Sequence, residues 1–141
     1  MKILIFGLPG SGKTTLAKPF ADLIGGVHLN ADTIREEYND WDFSLQGRER
    51  QATRMRHLAD GVVMAGKVAV ADFVCPTDFA RSEFEPDFTV WMDTISEGRF
   101  DDTNAMFESP DRVDYHVSQW FSDTHEVLIK VVQRWMERNN V

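Results

Sequence analysis

Gly7-Leu8-Pro9-Gly10-Ser11-Gly12-Lys13-Thr14 follows directly on Met1-Lys2-Ile3-Leu4-Ile5-Phe6. The eight residues fit G-x-x-x-x-G-K-[ST], a loop that wraps phosphate between a buried strand and the helix it feeds. Glycines allow the backbone to curl so that successive N–H groups point inward. The helix start adds the positive end of its dipole. On this reading Gly7, Pro9, Gly10, Ser11, Gly12, Lys13, Thr14 and Thr15 hold the phosphates of a nucleotide. Lys13 reaches the β- and γ-phosphates, and the Thr14 hydroxyl binds Mg²⁺. The competing reading is an ordinary glycine-rich turn between strand and helix. Thr15 to Ile24 reads as the following helix, with Pro19 expected near its first turn, where a missing N–H matters least.

The remaining pattern alternates helical segments with short apolar ones, as in an α/β fold with a parallel sheet. Strands are expected at Val27–Leu29, Val68–Phe73, Phe88–Asp93 and Val113–Val117. Helices are expected at Asp32–Tyr38, Arg48–Gly66, Thr77–Phe84 and Ser122–Asn139, the last capped by Ser122 or Asp123. Residues 96–110 read as a long polar loop, a length that usually serves function. The fold class expected is a P-loop NTPase-type, three-layer α/β fold with a central parallel sheet. The whole chain, 1–141, is expected to form one P-loop domain with a short lid at about 96–110.

Charge and composition narrow the partners. A net charge of -8 argues against a long nucleic acid, which needs a basic surface. A small anion remains compatible, because a local pocket can be positive in an acidic protein. No apolar run is long enough to span a membrane. The first strand begins at residue 2, so no signal or transit peptide is expected. The single Cys75 cannot form an internal disulfide, which fits a cytoplasmic location. The reading admits a homodimer.

In such sheets ligands bind beyond the carboxyl ends of the strands. Asp32 stands at the end of the second strand. It can accept a proton from an acceptor hydroxyl or orient the Mg²⁺ shell; alternatively it caps the next helix. Arg35, one turn on, suits an acceptor phosphate or sulfate, or else is a solvated surface charge. Trp41 and Phe43, followed by Arg48, Arg50 and Arg54, suggest a flat ring held above an anionic group, the alternative being a core phenylalanine beside a charged helix face. Asp72 ends a central strand, where it orients Mg²⁺ or makes a structural hydrogen bond. His28, His57, His116 and His125 lack ligand spacing and read as structural, and Cys75 reads as buried.

Taken in order, these residues resemble the adenylylsulfate kinase (APS kinase) family, whose members phosphorylate the 3′-hydroxyl of adenosine 5′-phosphosulfate with ATP. Gly7 to Thr14 match its G-L-S-G-S-G-K-[ST] loop, with Pro9 for Ser. Asn30-Ala31-Asp32-Thr33-Ile34-Arg35 match D-G-D-x-x-R at the second Asp and the Arg. Tyr38-Asn39 stand for L-N; Phe43, Ser44, Arg48 and Gln51 for F-S-x-x-x-R-x-x-N; Phe73, Pro76 and Arg81 for part of F-I-S-P-Y-R-x-x-R. The likeness covers about residues 1–93, and the family's R-D-x-K-G-L-Y lid is absent. It implies ATP and Mg²⁺ as cofactors and a small anionic acceptor, adenylylsulfate or a related nucleotide. It implies that Asp32, Arg35, Asn39, Phe43, Arg48, Gln51 and Arg81 bind that acceptor, with Phe43 on the adenine and the arginines at the anionic end. Catalysis would rest on Lys13 and Asp32, with Mg²⁺ on Thr14 and Asp32; outside the resemblance, the position of Arg99 suits cover over the ATP phosphates and that of Asp72 suits a further Mg²⁺ partner. Two further readings stand beside it: a kinase for another nucleotide, nucleoside or small metabolite, and a non-catalytic nucleotide-binding module. No N-K-x-D guanine signature is present, which favours ATP over GTP.

Overall fold

The computed structural model describes residues 1–141. Five parallel strands form one sheet: β1 (Lys2–Phe6), β2 (Val27–Asn30), β3 (Ala69–Phe73), β4 (Phe88–Met92) and β5 (Tyr115–Val117), in the order β2-β3-β1-β4-β5. Six helices connect and cover it: α1 (Lys13–Ile24), α2 (Ala31–Tyr38), α3 (Leu45–Met64), α4 (Asp78–Phe84), α5 (Asp101–Met106) and α6 (Thr124–Arg138). Side chains alternate across a strand, and β1 is apolar on both faces because both are covered. Ile3 and Ile5 pack with Leu16, Phe20, Leu128 and Val132 of α1 and α6. Leu4 and Phe6 pack with Ala52, Met55 and Phe84 of α3 and α4. This is the expected three-layer parallel architecture. No helix is long and apolar enough to cross a membrane.

Several boundaries differ from the sequence pattern for identifiable reasons. Pro19 lies inside α1, in its second turn and not its first. The helix tolerates it because the carbonyl it leaves unpaired, on Thr15, belongs to an exposed residue. α3 starts at Leu45, three residues early, because the Ser44 hydroxyl accepts the Gly47 N–H at 3.1 Å. Gly47 is required there: a β-carbon would lie 2.1 Å from the Asp42 carbonyl, so only glycine lets the 40–44 loop fold down onto the helix. At α6 neither Ser122 nor Asp123 caps through its side chain; the Thr124 hydroxyl closes the turn onto Phe121 instead.

The segment expected as a polar loop at 96–110 contains α5. Its lower end is closed by Asn104, whose amide donates to the Gly98 carbonyl (3.1 Å) and accepts the Gly98 N–H (2.8 Å). Its other end is fixed at Glu108, whose N–H donates to the Pro76 carbonyl (2.7 Å) and whose carboxylate accepts the Asp78 N–H (2.9 Å). The lid is therefore a short helix held at both roots.

Candidate functional site

The carboxyl ends of β1, β2 and β3 open into one cleft of about 720 Å³. Its lining runs without a break from the P-loop (Pro9, Gly10, Gly12 to Thr15) through Asp32 and Asp72 to Arg35, Phe43 and Arg48. Gly7 and Ser11 lie beneath the loop, not in the cleft. They shape it: the Ser11 N–H donates to the Leu8 carbonyl (3.1 Å), and the Ser11 carbonyl accepts the Thr94 hydroxyl (2.7 Å), anchoring the loop to the strand end of β4. Gly12 adopts a left-handed φ of 97°, which turns the backbone into α1.

Lys13 folds back on the loop and donates to the Leu8 carbonyl at 3.0 Å. Burial depresses its pKa to about 8, against the upward pull of Asp72 and Asp32. A half-buried lysine with a lowered pKa that lines a cleft beside a P-loop is a candidate partner for an anion.

Beside it, the Thr14 hydroxyl donates to Asp72 at 3.1 Å. Asp72 is only 2% exposed. A hydroxyl that donates its proton to a carboxylate and accepts one hydrogen bond, here from the Asn30 amide at 3.1 Å, still has a lone pair for a cation, and hard oxygen donors suit Mg²⁺. The protein offers no group of three His, Cys, Asp or Glu. That matches Mg²⁺, which takes one or two protein ligands and completes its shell with phosphates and water. The residues therefore fit the ion.

Asp32 sits in the first turn of α2 and lines the cleft. It is not the helix cap: Asn30 is, its side chain accepting the Thr33 N–H at 3.0 Å. The Asp32 carboxylate makes no hydrogen bond of its own and stays exposed toward the Lys13 and Arg35 charges.

At the far end, Arg35 is 3% exposed and Arg48 8%, so neither is a solvated surface charge. Arg35 braces the loop by donating to the Asp40 (2.9 Å) and Asp42 (3.2 Å) carbonyls. Arg48 donates to the Thr103 hydroxyl of α5 at 2.7 Å, and its Nε is buried without a partner. Burial lowers both guanidinium pKa values, and the two cations repel one another. Phe43 is 42% exposed, not core, with the Arg35 and Arg48 guanidiniums 4.5 and 5.2 Å from its ring centre. Two buried cations around an exposed ring are an arrangement that could take up an anion.

Gln51 lines this end but is committed at both atoms, to the Ala31 carbonyl (3.2 Å) and to Arg54 (2.7 Å). Arg99 lines the opposite wall from the lid, with Phe100, Asp102 and Thr103, which the sequence reading did not single out.

Two expected acceptor residues lie elsewhere. Asn39 is the exposed C-cap of α2, left-handed at φ 49°, and does not line the cleft. Asparagine there is a stop signal for the helix. Arg81 is buried behind the cleft. Its guanidinium donates to the carbonyls of Cys75 (3.0 Å), Pro76 (3.1 Å) and Glu108 and to the Asp78 carboxylate (3.0 Å), and it stacks on Phe6 and Phe107. Four of its five N–H donors are used in this way, and it does not line the cleft. Cys75 is buried as expected, and burial pushes its thiol well above the usual range.

His28, read from sequence as structural, contacts Asp72 through its Nε2, and Asn30 donates to Thr14 at 3.1 Å. One signal pointed there: residues 28 and 30 share a face of β2, and β2 pairs with the strand that carries Asp72.

No curated protein matches the sequence. Solved structures match the fold over nearly the whole chain. The APS kinase of Mycobacterium tuberculosis, in complex with AMPPNP and APS, superposes with a TM-score of 0.78 at 16% identity, over 94% of this chain and 96% of that one. A gluconokinase from Sinorhizobium meliloti 1021 gives 0.69 at 13%, over 99% and 95%. A shikimate kinase from Acinetobacter baumannii, in complex with shikimate, gives 0.63 at 18%, over 97% and 93%. Identities this low establish a common P-loop architecture and no more. Membership rests on residues 3–86, which match the AAA domain model from β1 to just past α4: the chain belongs to the AAA domain family.

Proposed function

We propose that the chain is a single-domain, ATP-dependent kinase that moves the γ-phosphoryl group of ATP to a hydroxyl of a small anionic acceptor. One observation carries this: a single cleft joins a P-loop with its lysine to a second, separate anion pocket at Arg35 and Arg48. A module that only bound a nucleotide would need the first and not the second. Small-molecule kinases among the structures of the same fold support the reading.

Phosphoryl transfer needs positioning and charge neutralisation more than covalent help. The loop N–H groups and Lys13 take the phosphate charge, and Arg99 lies across the cleft to cover it. Thr14 and Asp72 would hold Mg²⁺, which neutralises phosphate charge when bound. The acceptor anion docks between Arg35 and Arg48, placing its hydroxyl at Asp32. Asp32, which no hydrogen bond holds, accepts the hydroxyl proton as the new bond forms.

Adenylylsulfate is the lead acceptor, on the resemblance of the Asp32–Arg35 and Phe43–Arg48 segments. A compact hydroxy acid is the second reading. The observation behind it is that two guanidiniums already lie 4.5 and 5.2 Å from the Phe43 ring centre, where they compete with a stacking adenine for the ring and suit a small carboxylate. A coupled ADP-release assay with adenylylsulfate, gluconate, shikimate and nucleosides decides. Turnover with adenylylsulfate alone supports the lead and turnover with a hydroxy acid the second. ATP binding without ADP release for any acceptor leaves only a nucleotide-binding module.

A further inference from the structure

We propose that His28 and Asn30 are positioning residues that lock the Asp72 carboxylate against Thr14, so that the P-loop presents a ready-made hydroxyl to the metal. The inference rests on the Mg·ATP reading above and adds two residues to it.

The argument starts from burial. Asp72 is almost fully buried, and an ionised carboxylate in that position needs partners on both oxygens. Lys13 is not one of them: its ammonium donates to the Leu8 carbonyl and makes no hydrogen bond or ion pair with Asp72, acting on it only through its charge. Oδ1 accepts the Thr14 hydroxyl at 3.1 Å, Oδ2 meets His28 Nε2, and the Asn30 amide reaches both oxygens at 3.3 and 3.4 Å. With His28 holding Oδ2, the carboxylate cannot rotate away from Thr14.

Asn30 does two things at once. Its Oδ1 accepts the Thr33 N–H and hydroxyl at the start of α2 (3.0 and 3.1 Å). A backbone N–H can only donate, so the cap fixes the amide with its oxygen toward the helix and its NH₂ toward Thr14 and Asp72. Serine, threonine or aspartate would cap equally well. None offers an amide donor on the other side, and that donor is what the site uses. Both residues stand on one face of β2 and nothing else in the cleft calls for them.

The test is the Mg²⁺ dependence of nucleotide affinity, which needs no acceptor and no turnover. AMPPNP is titrated calorimetrically into wild type, His28→Leu, His28→Gln and Asn30→Ser, in Mg²⁺ and in EDTA, with melting curves confirming that each is folded. Partners behind a metal ligand typically change metal affinity by 10–100-fold. His28→Leu and Asn30→Ser should therefore lose about tenfold or more of the Mg²⁺ enhancement, while metal-free affinity stays within about twofold. His28→Gln, which keeps a donor, should recover most of it. Should His28→Leu fail to fold, Asn30→Ser, which retains a cap, carries the test. An unchanged Mg²⁺ enhancement in the folded variants, or an equal loss with and without metal, overturns the proposal. A wild type whose affinity ignores Mg²⁺ overturns the Mg·ATP reading itself.

Discussion

The two ends of the cleft are built in different ways. At the P-loop end the groups offered to an anion are mostly backbone, and the loop with its Lys13 and Thr14 side chains spans eight consecutive residues, with Asp72 brought in from β3. Their geometry is set by a strand, a left-handed glycine and the first turn of α1. At the Arg35–Arg48 end every binding group is a long side chain from a different element. Its shape depends on a web of ion pairs: Arg50 and Arg54 both hold Asp40, Arg50 also holds Asp42, and Arg35 holds their carbonyls. Those guanidiniums keep the Asp40 carboxyl far below the usual range. A backbone cradle binds one kind of group and tolerates little change. A side-chain pocket can be retuned residue by residue, which would suit an end of the molecule that selects an acceptor.

The contrast can be broken or sharpened by experiment. Lys13→Ala should cost about 10³-fold in kcat, since removing one preorganised donor to developing charge costs 10²–10³-fold. Activity within tenfold of wild type would remove Lys13 from the chemistry. Asp32→Asn should lower kcat by about 10²-fold, with ATP affinity and melting temperature unchanged, because Asn30 and not Asp32 caps α2. An early melt with normal turnover per folded molecule would make Asp32 structural.

Phe43→Ala should raise acceptor KM about tenfold and leave ATP alone. If ATP affinity fell instead, the two ends would not be separate sites. Lys13 supplies a pH test of comparable or smaller size. Its folded pKa is about 8, below the ordinary value of 10.5, so ATP binding that needs the ammonium should weaken by up to about tenfold per unit above pH 8. The sign for stability is opposite. Between pH 8 and 10.5 the unfolded chain binds more protons than the folded one, so the ligand-free protein gains stability as pH rises. A flat affinity profile from pH 7 to 9.5 would contradict the shift. Finally, Arg81→Lys should leave both KM values unchanged and lower the melting temperature by several degrees, because buried carbonyls of Cys75, Pro76 and Glu108 lose partners. A rise in acceptor KM would return Arg81 to the site.

What could be read from sequence follows the same division. The P-loop, its strand and its helix were legible because their contacts are local and their spacing is fixed. Asp32, Arg35, Phe43 and Arg48 were legible as a set, and all four line the cleft. Arg81 misled because its commitment depends on the Glu108 carbonyl, 27 positions away. His28 was passed over because its partner is 44 positions away across a parallel strand pair. Asn39 carried a local signal that competes with the family pattern: asparagine after a helix is as much a left-handed cap as a ligand. The helix at 101–106 was missed because Asp101 to Met106 has little intrinsic propensity; the local Asn104–Gly98 closure and the long-range clip at Glu108 hold it in place.

Those anchors make the lid modular. Residues 99–107 leave the body at the Asn104-closed Gly98 and return at Glu108, which is clipped to Pro76 and Asp78, and between these points their one hydrogen bond to the cleft wall is the Arg48–Thr103 contact. The segment can thus be treated as a cassette. Longer or differently charged lids that keep Asn104, which closes onto Gly98, and Phe107, which stacks on Phe6 of β1, should leave the sheet and P-loop undisturbed, which makes the rest of this stretch the natural place for redesign.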